Sequence, residues 1–535
     1  MNDFSRRGFL VGASTLGVTV RAMATGNEVQ DAASPAFRHG VASGDPLHDR
    51  VILWTRVTPS NRFDHVRVLW KVARDSRMRH VVSSGSFWTD ADRDFTVKVD
   101  ADGLWPDTTY YYQFFTKSAG SPIGRTKTLP LFGGSSLRFA LASCSNYPAG
   151  YFHAYRHIAE RTDLDLVFHL GDYIYEYANA GFGDGSAIGR LPQPEKEILT
   201  LSDYRLRHAT YKSDPDLQAA HRQHPFITVW DDHESANDSW HDGAQNHNPD
   251  QGEGDWELRK RAAIRAYFEW MPIRAQSFGP PGKIYRFFRY GSLAEIDMLD
   301  TRLFGRDKQP AGPDDAATIN DPSRQLLGAE QEAWLFDRLY RSQARGVQWR
   351  VLGQQVMMAQ LSATLGATPI NVDQWDGYAA ARGRLFQHII DTNIDNVVVL
   401  TGDIHSSWAN DLAPNPYDGA SYDAATGRGS VGVEIVTPGV TSPGIEDPAT
   451  AAQNAAALRS VSPHMKYIEL NKRGYAVVDI NRDRLQADWF HLPTVRERTD
   501  EQLFVAAVTT ASGANHLVRA TTPIETRKSV ADEAP

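Results

Sequence analysis

From about Phe37 to Pro130, apolar and polar residues alternate in short runs divided by polar turns, the period of half-buried strands. The predicted strands are Val51–Arg56, Val66–Val72, Phe95–Val99 and Tyr110–Phe114. Within Gly103–Phe114, Leu104, Pro106 and Thr108 lead into Tyr110. That spacing matches the corner of an immunoglobulin- or fibronectin III-like sandwich, where a tyrosine hydroxyl ties down the bend. Leu131–Phe139 carries a Gly/Ser cluster and reads as a linker. After it, short wholly apolar runs alternate with helical patterns such as Trp256–Trp270 and Leu326–Gln343, which predicts an α/β or layered β core. No internal repeat is visible. The tail beyond about Val508 is rich in Ala, Thr and charge and is expected to be peripheral or frayed.

The apolar runs end alike. "LRFALAS" stops at Cys144, "LDLVFHL" at Gly171-Asp172, and "PFITVW" at Asp231-Asp232-His233. "LAEIDML" stops at Asp300 with Arg302 beyond, "WRVL" at Gly353-Gln354-Gln355, and "VVVLT" at Gly402-Asp403 with His405 beyond. Ligands of open α/β sheets bind at the carboxyl ends of strands, so this sorting of polar, metal-competent residues predicts a site there. Glycine before Asp172 and Asp403 lets the backbone turn sharply and approach a ligand. Each residue also has a plainer reading. A turn aspartate can cap a helix, Tyr175 can be packing, Cys144 can be a small buried hydrophobe, and "WDDHESAND" can be a solvated loop.

The chain has 535 residues, 41% hydrophobic and 23% charged, with a net charge of −9. No Lys/Arg block supplies a nucleic-acid footprint, and no apolar stretch reaches the roughly 18–20 residues of a membrane span. The single cysteine excludes an intramolecular disulfide. Arg6-Arg7 precede a moderate apolar region that ends in Ala22-Met23-Ala24. Residues 1–24 thus resemble a twin-arginine signal peptide, which implies export of a folded, cation-loaded protein by the twin-arginine machinery to the periplasm or beyond.

"ASCSN", "GDYIYE", "WDDHE", "MLDTR" and "GDIHSSW", in this order, resemble the alkaline phosphatase D family. These are iron- and calcium-dependent relatives of the purple acid phosphatases among the metallophosphoesterases. "RHGVASGDPLHDRVILWTRVTP" and "PHMKYIEL…RGYAVVDI" resemble it too, so the likeness runs from about Phe37 to Val495. It implies an α/β fold, with a layered metallophosphoesterase β-sheet core flanked by helices and preceded by the β-sandwich. The implied units are the sandwich at 36–130, the catalytic domain at 136–500 and a tail at 501–535.

The resemblance makes Cys144, Asp172, Tyr175 and His405 the Fe(3+) ligands, with Cys144 where related phosphatases place an aspartate. Asp172 bridges to a Ca(2+) site completed by Asp232 and Asp403. His233 matches the histidine that meets the leaving group. Gln354 and Gln355 stand near where relatives place a metal-binding histidine, which leaves completion of the second shell open. Extra carboxylates favour a hard oxygen-seeking ion there.

Two cations would neutralise an anionic ester and its attacking water, with His233 protonating the departing oxygen. Arg302 is a candidate phosphate clamp or a structural partner of Asp300, and Asn237 a candidate contact to substrate or metal. The expected substrate is a small phosphate ester. A phosphodiesterase or phospholipase D-like enzyme is the first alternative, and a non-catalytic envelope-binding protein the second.

Overall fold

The computed structural model describes residues 36–61, 65–274, 282–366, 368–527 and 530–535. The signal-like segment 1–24 lies outside the described residues.

Two large sheets form the core. The ten-stranded sheet runs in the spatial order Val518–Ala520, Leu503–Ala511, Arg484–Leu492, Arg473–Asn481, Ser136–Ala142, Leu166–His169, Pro225–Thr228, Val41–Gly44, Val51–Arg56 and Thr96–Ala101. The seven-stranded sheet runs Arg286–Tyr290, Ala294–Met298, Trp349–Gly353, Val397–Thr401, Gly432–Val436, Ser407–Leu412 and Met465–Glu469. At the centre of each, neighbours are parallel. Phe139 pairs with Leu166 and Phe226 with Val167 in the first sheet. Ile296 pairs with Val351, Val351 with Val398, and Val398 with Val433 in the second.

The continuous apolar run "VVVLT" follows from burial on both faces. Val398 and Leu400 join the core that also takes in Leu141 and Phe168 of the other sheet. Val397 and Val399 face a second core, with Leu339, Leu385 and Leu458 from the helices Ala329–Ala344, Ala379–Asp391 and Pro448–Val461. On the far side of the large sheet, Ile158, Leu217 and Ile264 supply the helical cover. The sheets are also tied by hydrogen bonds. Thr437 Oγ1 donates to the Leu141 carbonyl at 3.1 Å and Trp489 Nε1 to the Val436 carbonyl at 3.0 Å.

The N-terminal strands behave partly as their pattern predicts. A four-stranded sheet, Val81–Thr89, Val66–Ala73, Thr109–Phe115 and Gly124–Lys127, packs Val68, Val72 and Tyr112 against Val41, Val51 and Leu53. The second layer of this sandwich is the end of the ten-stranded sheet itself, because Ser43 pairs in parallel with Pro225 and Gly44 with Phe226. A Cβ on Gly44 would lie 2.3 Å from the Pro272 carbonyl oxygen, so only glycine allows this junction. The tyrosine corner is present: Tyr110 Oη accepts the Trp105 backbone N–H at 2.8 Å.

The tail corrects the expectation of fraying. Leu503–Ala511 pairs along Arg484–Leu492, and Val518–Ala520 pairs with Leu503–Ala511. Ala506 and Val508 are buried on this strand. Pairing on both sides and the burial of Ala506, Ala507 and Val508, hidden in an Ala/Thr-rich composition, hold the segment in place. Near the end, the Ala534 N–H donates to Gln223 Oε1 at 3.0 Å.

Candidate metal centre

The parallel strands aim their carboxyl ends at one place. Cys144 follows Ser136–Ala142, Asp172 follows Leu166–His169, Asp231 and Asp232 follow Pro225–Thr228, and Asp403 and His405 follow Val397–Thr401. Cys144, Asp172, Asp403 and His405 all have left-handed backbone, with φ of 58°, 56°, 58° and 56°. Non-glycine residues held there store strain, and such residues gather at functional sites. The glycines ahead of the aspartates do allow a close approach, but by neighbouring loops. A Cβ on Gly171 would lie 2.4 Å from Asp231 Cβ, and one on Gly402 would lie 2.9 Å from Ser143 Cβ.

Ligand atoms of Cys144, Asp172 and His405 fall within 4.8 Å of one another, as do those of Asp172, Asp232 and His233, and those of Asp231, Asp232 and Asp403. Tyr175 joins the first set: its hydroxyl donates to Asp172 Oδ2 at 2.7 Å and lies 3.1 Å from His405 Nε2. Ser442 Oγ donates to the same phenol oxygen at 2.6 Å. His405 Nδ1 faces the Pro443 carbonyl at 3.0 Å, which places the proton on Nδ1 and leaves the Nε2 lone pair toward the cluster. Asp172 thus belongs both to the sulfur-containing set and to the set with Asp232 and His233, and Asp232 in turn belongs to the all-carboxylate set, so Asp172 stands between the two groups as a bridging ligand would.

His233 Nδ1 lies 2.7 Å from Glu176 Oε2, and the imidazole is buried. Burial opposes its charge, yet the carboxylates of Asp232, Glu176 and Asp172 outweigh that and raise its pKa to about 10. Asn237 is set beside it by the same carboxylate: its N–H donates to Glu176 Oε1 at 2.8 Å, while its amide group donates to Gln245 at 3.0 Å.

Arg302 is not placed as an open clamp. It is 0% exposed, with Nε on Asp231 Oδ1 at 2.5 Å, Nη1 on both Asp373 oxygens at 2.9 Å and Nη2 on Asp403 Oδ1 at 2.9 Å. Its expected structural partner differs too, because Asp300 Oδ1 accepts the Arg302 backbone N–H at 2.9 Å rather than the guanidinium. Gln354 and Gln355 brace strand ends: Gln354 Nε2 donates to Thr401 Oγ1 at 2.6 Å, and Gln355 Nε2 donates to the Trp230 carbonyl at 2.8 Å. The glutamine that reaches the carboxylates is Gln374, whose Nε2 donates to Asp403 Oδ2 at 2.5 Å.

Several residues beyond the sequence-based set complete the surroundings: Asp231, Glu176, Glu234, Asp373 and Gln374. Glu234 accepts the backbone N–H of Asp172 at 3.0 Å, of Asp231 at 2.7 Å, and of Tyr173. One carboxylate thereby locks two ligand loops together. Glu176 and Glu234 sit inside the motifs "GDYIYE" and "WDDHE", so their types were in view. Asp373 and Gln374 come from a loop with no such signal.

The electrostatics call for cations. Asp172, Glu176, Asp231, Asp232, Glu234 and Asp403 are all at most 2% exposed. Arg302 and His233 offset only part of this buried negative charge, and buried charge without compensation is strongly unfavourable. Burial, then Asp172, pushes the Cys144 thiol and the Tyr175 phenol well above their usual values. Only a strongly charged cation would bring out the thiolate and phenolate, since a bound metal reverses local pKa logic. Asp231 Oδ2 is buried without a hydrogen-bond partner. The donor set therefore fits a pair of unlike cations: sulfur, phenol oxygen and imidazole nitrogen on one side, carboxylates alone on the other.

Among the described residues no helix is long and apolar enough to cross a membrane. The family model described as "PhoD-like phosphatase" matches residues 139–489, and that of the "PhoD-like phosphatase, N-terminal domain" matches residues 22–130. Alkaline phosphatase D of Bacillus subtilis (strain 168) is 40% identical over 522 residues, covering 93% of this chain and 86% of the relative. A solved structure described as that of PhoD superposes with a TM-score of 0.82 at 37% identity, covering 92% of this chain and 93% of the other. Sequence and fold agree: the chain belongs to the PhoD-like phosphatase family, and is a phosphoric ester hydrolase.

Proposed function

We propose that the chain hydrolyses phosphate esters at a centre made of one ferric ion and calcium. Cys144, Asp172, Tyr175 and His405 hold the iron, and Asp172, Asp232 and Asp403, with Asp231 beside them, hold the calcium. The observation that carries the reading is the gathering of Cys144, Asp172 and His405, and of Asp231, Asp232 and Asp403, into ligand-sized groups. When bound, the cations neutralise the anionic ester and activate the attacking water.

The chain's own residues do the rest. His233, held by Glu176 at 2.7 Å, keeps a proton for the departing oxygen, a task worth about 10²–10⁴ in rate. Asn237, fixed by the same carboxylate, is the contact to substrate or cation. Arg302 acts as a positioning residue that holds Asp231 and Asp403, rather than as a phosphate clamp.

Arg6-Arg7 and Ala22-Met23-Ala24 support export by the twin-arginine route, to the periplasm or beyond. That route carries folded proteins, which suits a centre loaded before export. The proposed units are a signal segment at 1–24, a sandwich at 36–130, a catalytic domain at 136–500 and a tail at 501–535, the sandwich's second layer and the tail's strands being continuous with the catalytic sheet.

Elemental analysis of the exported protein tests the metal assignment. Iron and calcium should both track protein in whole-number ratios, and a visible phenolate-to-iron band should vanish in Tyr175→Phe. A colourless, iron-free and fully active preparation refutes the ferric site. Calcium chelation that leaves activity intact refutes the second.

A further inference from the structure

Beside the ligand cluster lies a cavity of about 90 Å³ whose wall is shared with the site through Asp403 and His405. The rest of its wall is mostly apolar: Phe182, Leu361, Trp408, Ile445, Leu458 and Leu470. Trp408, Leu361 and Leu458 are 2%, 3% and 3% exposed and belong to the helix-side core. The Trp408 indole N–H is already satisfied by Ser406 Oγ at 2.7 Å, so the ring offers the cavity only carbon. Among the described lining residues there is no lysine or arginine. Asn371 and Ser406 are the remaining polar lining, no cationic side chain is there to recognise a second phosphate, and an apolar group would lose water against most of the wall.

We propose that this cavity is the specificity subsite for an apolar substituent on the substrate's phosphorus, a short alkyl group or the edge of an aromatic ring. The proposal rests on phosphoester hydrolysis at the Asp403–His405 cluster. Phe182 marks the position of the subsite, because it lies 5.7 Å from the His405 ring and 6.1 Å from the His233 ring, centroid to centroid. His233 does not line the cavity, whereas His405 does. The departing oxygen belongs on the His233 side, so the group in the cavity is the one phosphorus keeps. The favoured substrate is a diester carrying one apolar retained group. Water's oxygen bonds to phosphorus, the opposite P–O bond breaks, and the leaving alcohol takes the proton from His233. Water's proton is released in turn, and the product is the apolar monoester. At about 90 Å³ the cavity is smaller than the engineered ~150 Å³ cavity that holds benzene. A long acyl chain therefore cannot be wholly enclosed in it, and the gain from each added carbon ends after a short chain.

The test is a series of alkyl p-nitrophenyl phosphates, methyl through octyl, hydrolysed by the metal-loaded enzyme, with p-nitrophenyl phosphate alongside. All diesters release the same phenol, so differences report the retained group. We expect kcat/KM to rise about threefold to fourfold per methylene, as for full burial of each CH2, and to level off once the chain outgrows the cavity. Leu458→Gln and Leu361→Gln should each reduce the butyl-to-methyl ratio, a comparison internal to each variant; matched thermal melts verify folding. A flat or falling series, or a wild-type rise that both variants retain unchanged, overturns the subsite. Failure to hydrolyse any member, the monoester included, would instead refute the hydrolase reading on which the subsite rests.

Discussion

Replacing Arg302 with methionine should turn a structural arginine into a measurable cation response. The guanidinium is 0% exposed and touches Asp231, Asp373 and Asp403 at 2.5–2.9 Å. Methionine fills similar space but leaves those carboxylates buried and less compensated, and removing one partner of a buried ion pair costs about 3–5 kcal/mol. In chelator, Arg302→Met should therefore melt several degrees below the parent at a fixed scan rate. Calcium should narrow the gap. The lost charge sat 2.9 Å from Asp403 and 3.8 Å from Asp232, where it opposes a cation bound by the same carboxylates. At an effective dielectric of about 20, two unit charges about 5 Å apart repel by roughly 3 kcal/mol. Calcium should accordingly raise the variant's melting temperature more than the parent's. Arg302→Lys keeps the charge but not the planar fork, so it should show the parent's calcium response and recover only part of the stability. Differential scanning calorimetry, with and without calcium, reads both quantities. An unchanged melt in chelator, or equal calcium shifts in parent and Arg302→Met, would refute the positioning role.

Burial, then Glu295, raises the Asp297 pKa to about 7 against an unfolded value near 3.8. Here the unfolded chain ionises first, so stability is fully present below about pH 4 and is lost as pH rises toward 7. Asp297→Asn should be the more stable protein at pH 8 by at most about 4 kcal/mol, with the gap closing by pH 4; denaturant melts at the two pH values decide it. His233→Asn should lower kcat by about 10²–10⁴ with bound-metal content unchanged, and Glu176→Gln should lower it less; a drop in metal content would recast His233 as a ligand. Tyr110→Phe removes one hydrogen bond, to the Trp105 N–H, and should cost about 1 kcal/mol in an unfolding titration without altering kcat.

The strands were legible wherever burial wrote a pattern. Val51–Arg56 and Val397–Thr401 end where the apolar period ends, as does the helix Trp256–Trp270. Partnership was not legible. Val41–Gly44 is a short strand with a glycine, and nothing in its alternation says that it pairs in parallel with Pro225–Thr228. The N-terminal sandwich therefore read as a separate domain ahead of a linker, whereas one of its layers is the end of the catalytic sheet. The strand Leu503–Ala511 was hidden for a related reason: Ala and Thr carry too little hydrophobic contrast to mark a strand by composition.

The site divides along the same physical line. First contacts to a cation need rare side chains at strand ends, and rare side chains at strand ends are visible in one dimension. Cys144, Asp172, Asp403 and His405 stand out because each follows an apolar run. What holds them is backbone chemistry between loops. Glu234 binds the amides of Asp172 and Asp231, and Arg302 links Asp231, Asp373 and Asp403 across 71 to 101 residues of chain. Such bridges have no sequence period, so Arg302 read alone left a phosphate clamp and a salt bridge to Asp300 both open, when its donors are directed at Asp231, Asp373 and Asp403. Left-handed residues at the Cys144, Asp172 and Asp403–His405 turns mean these loops resist this geometry locally. The bridging carboxylates and the arginine oppose that resistance, and cations among the remaining negative charge would complete the balance. A buried arginine in a strand-end "DTR" is then better read as part of the ligand frame than as a group reserved for phosphate, and the same logic assigns Glu176 to His233 rather than to a metal.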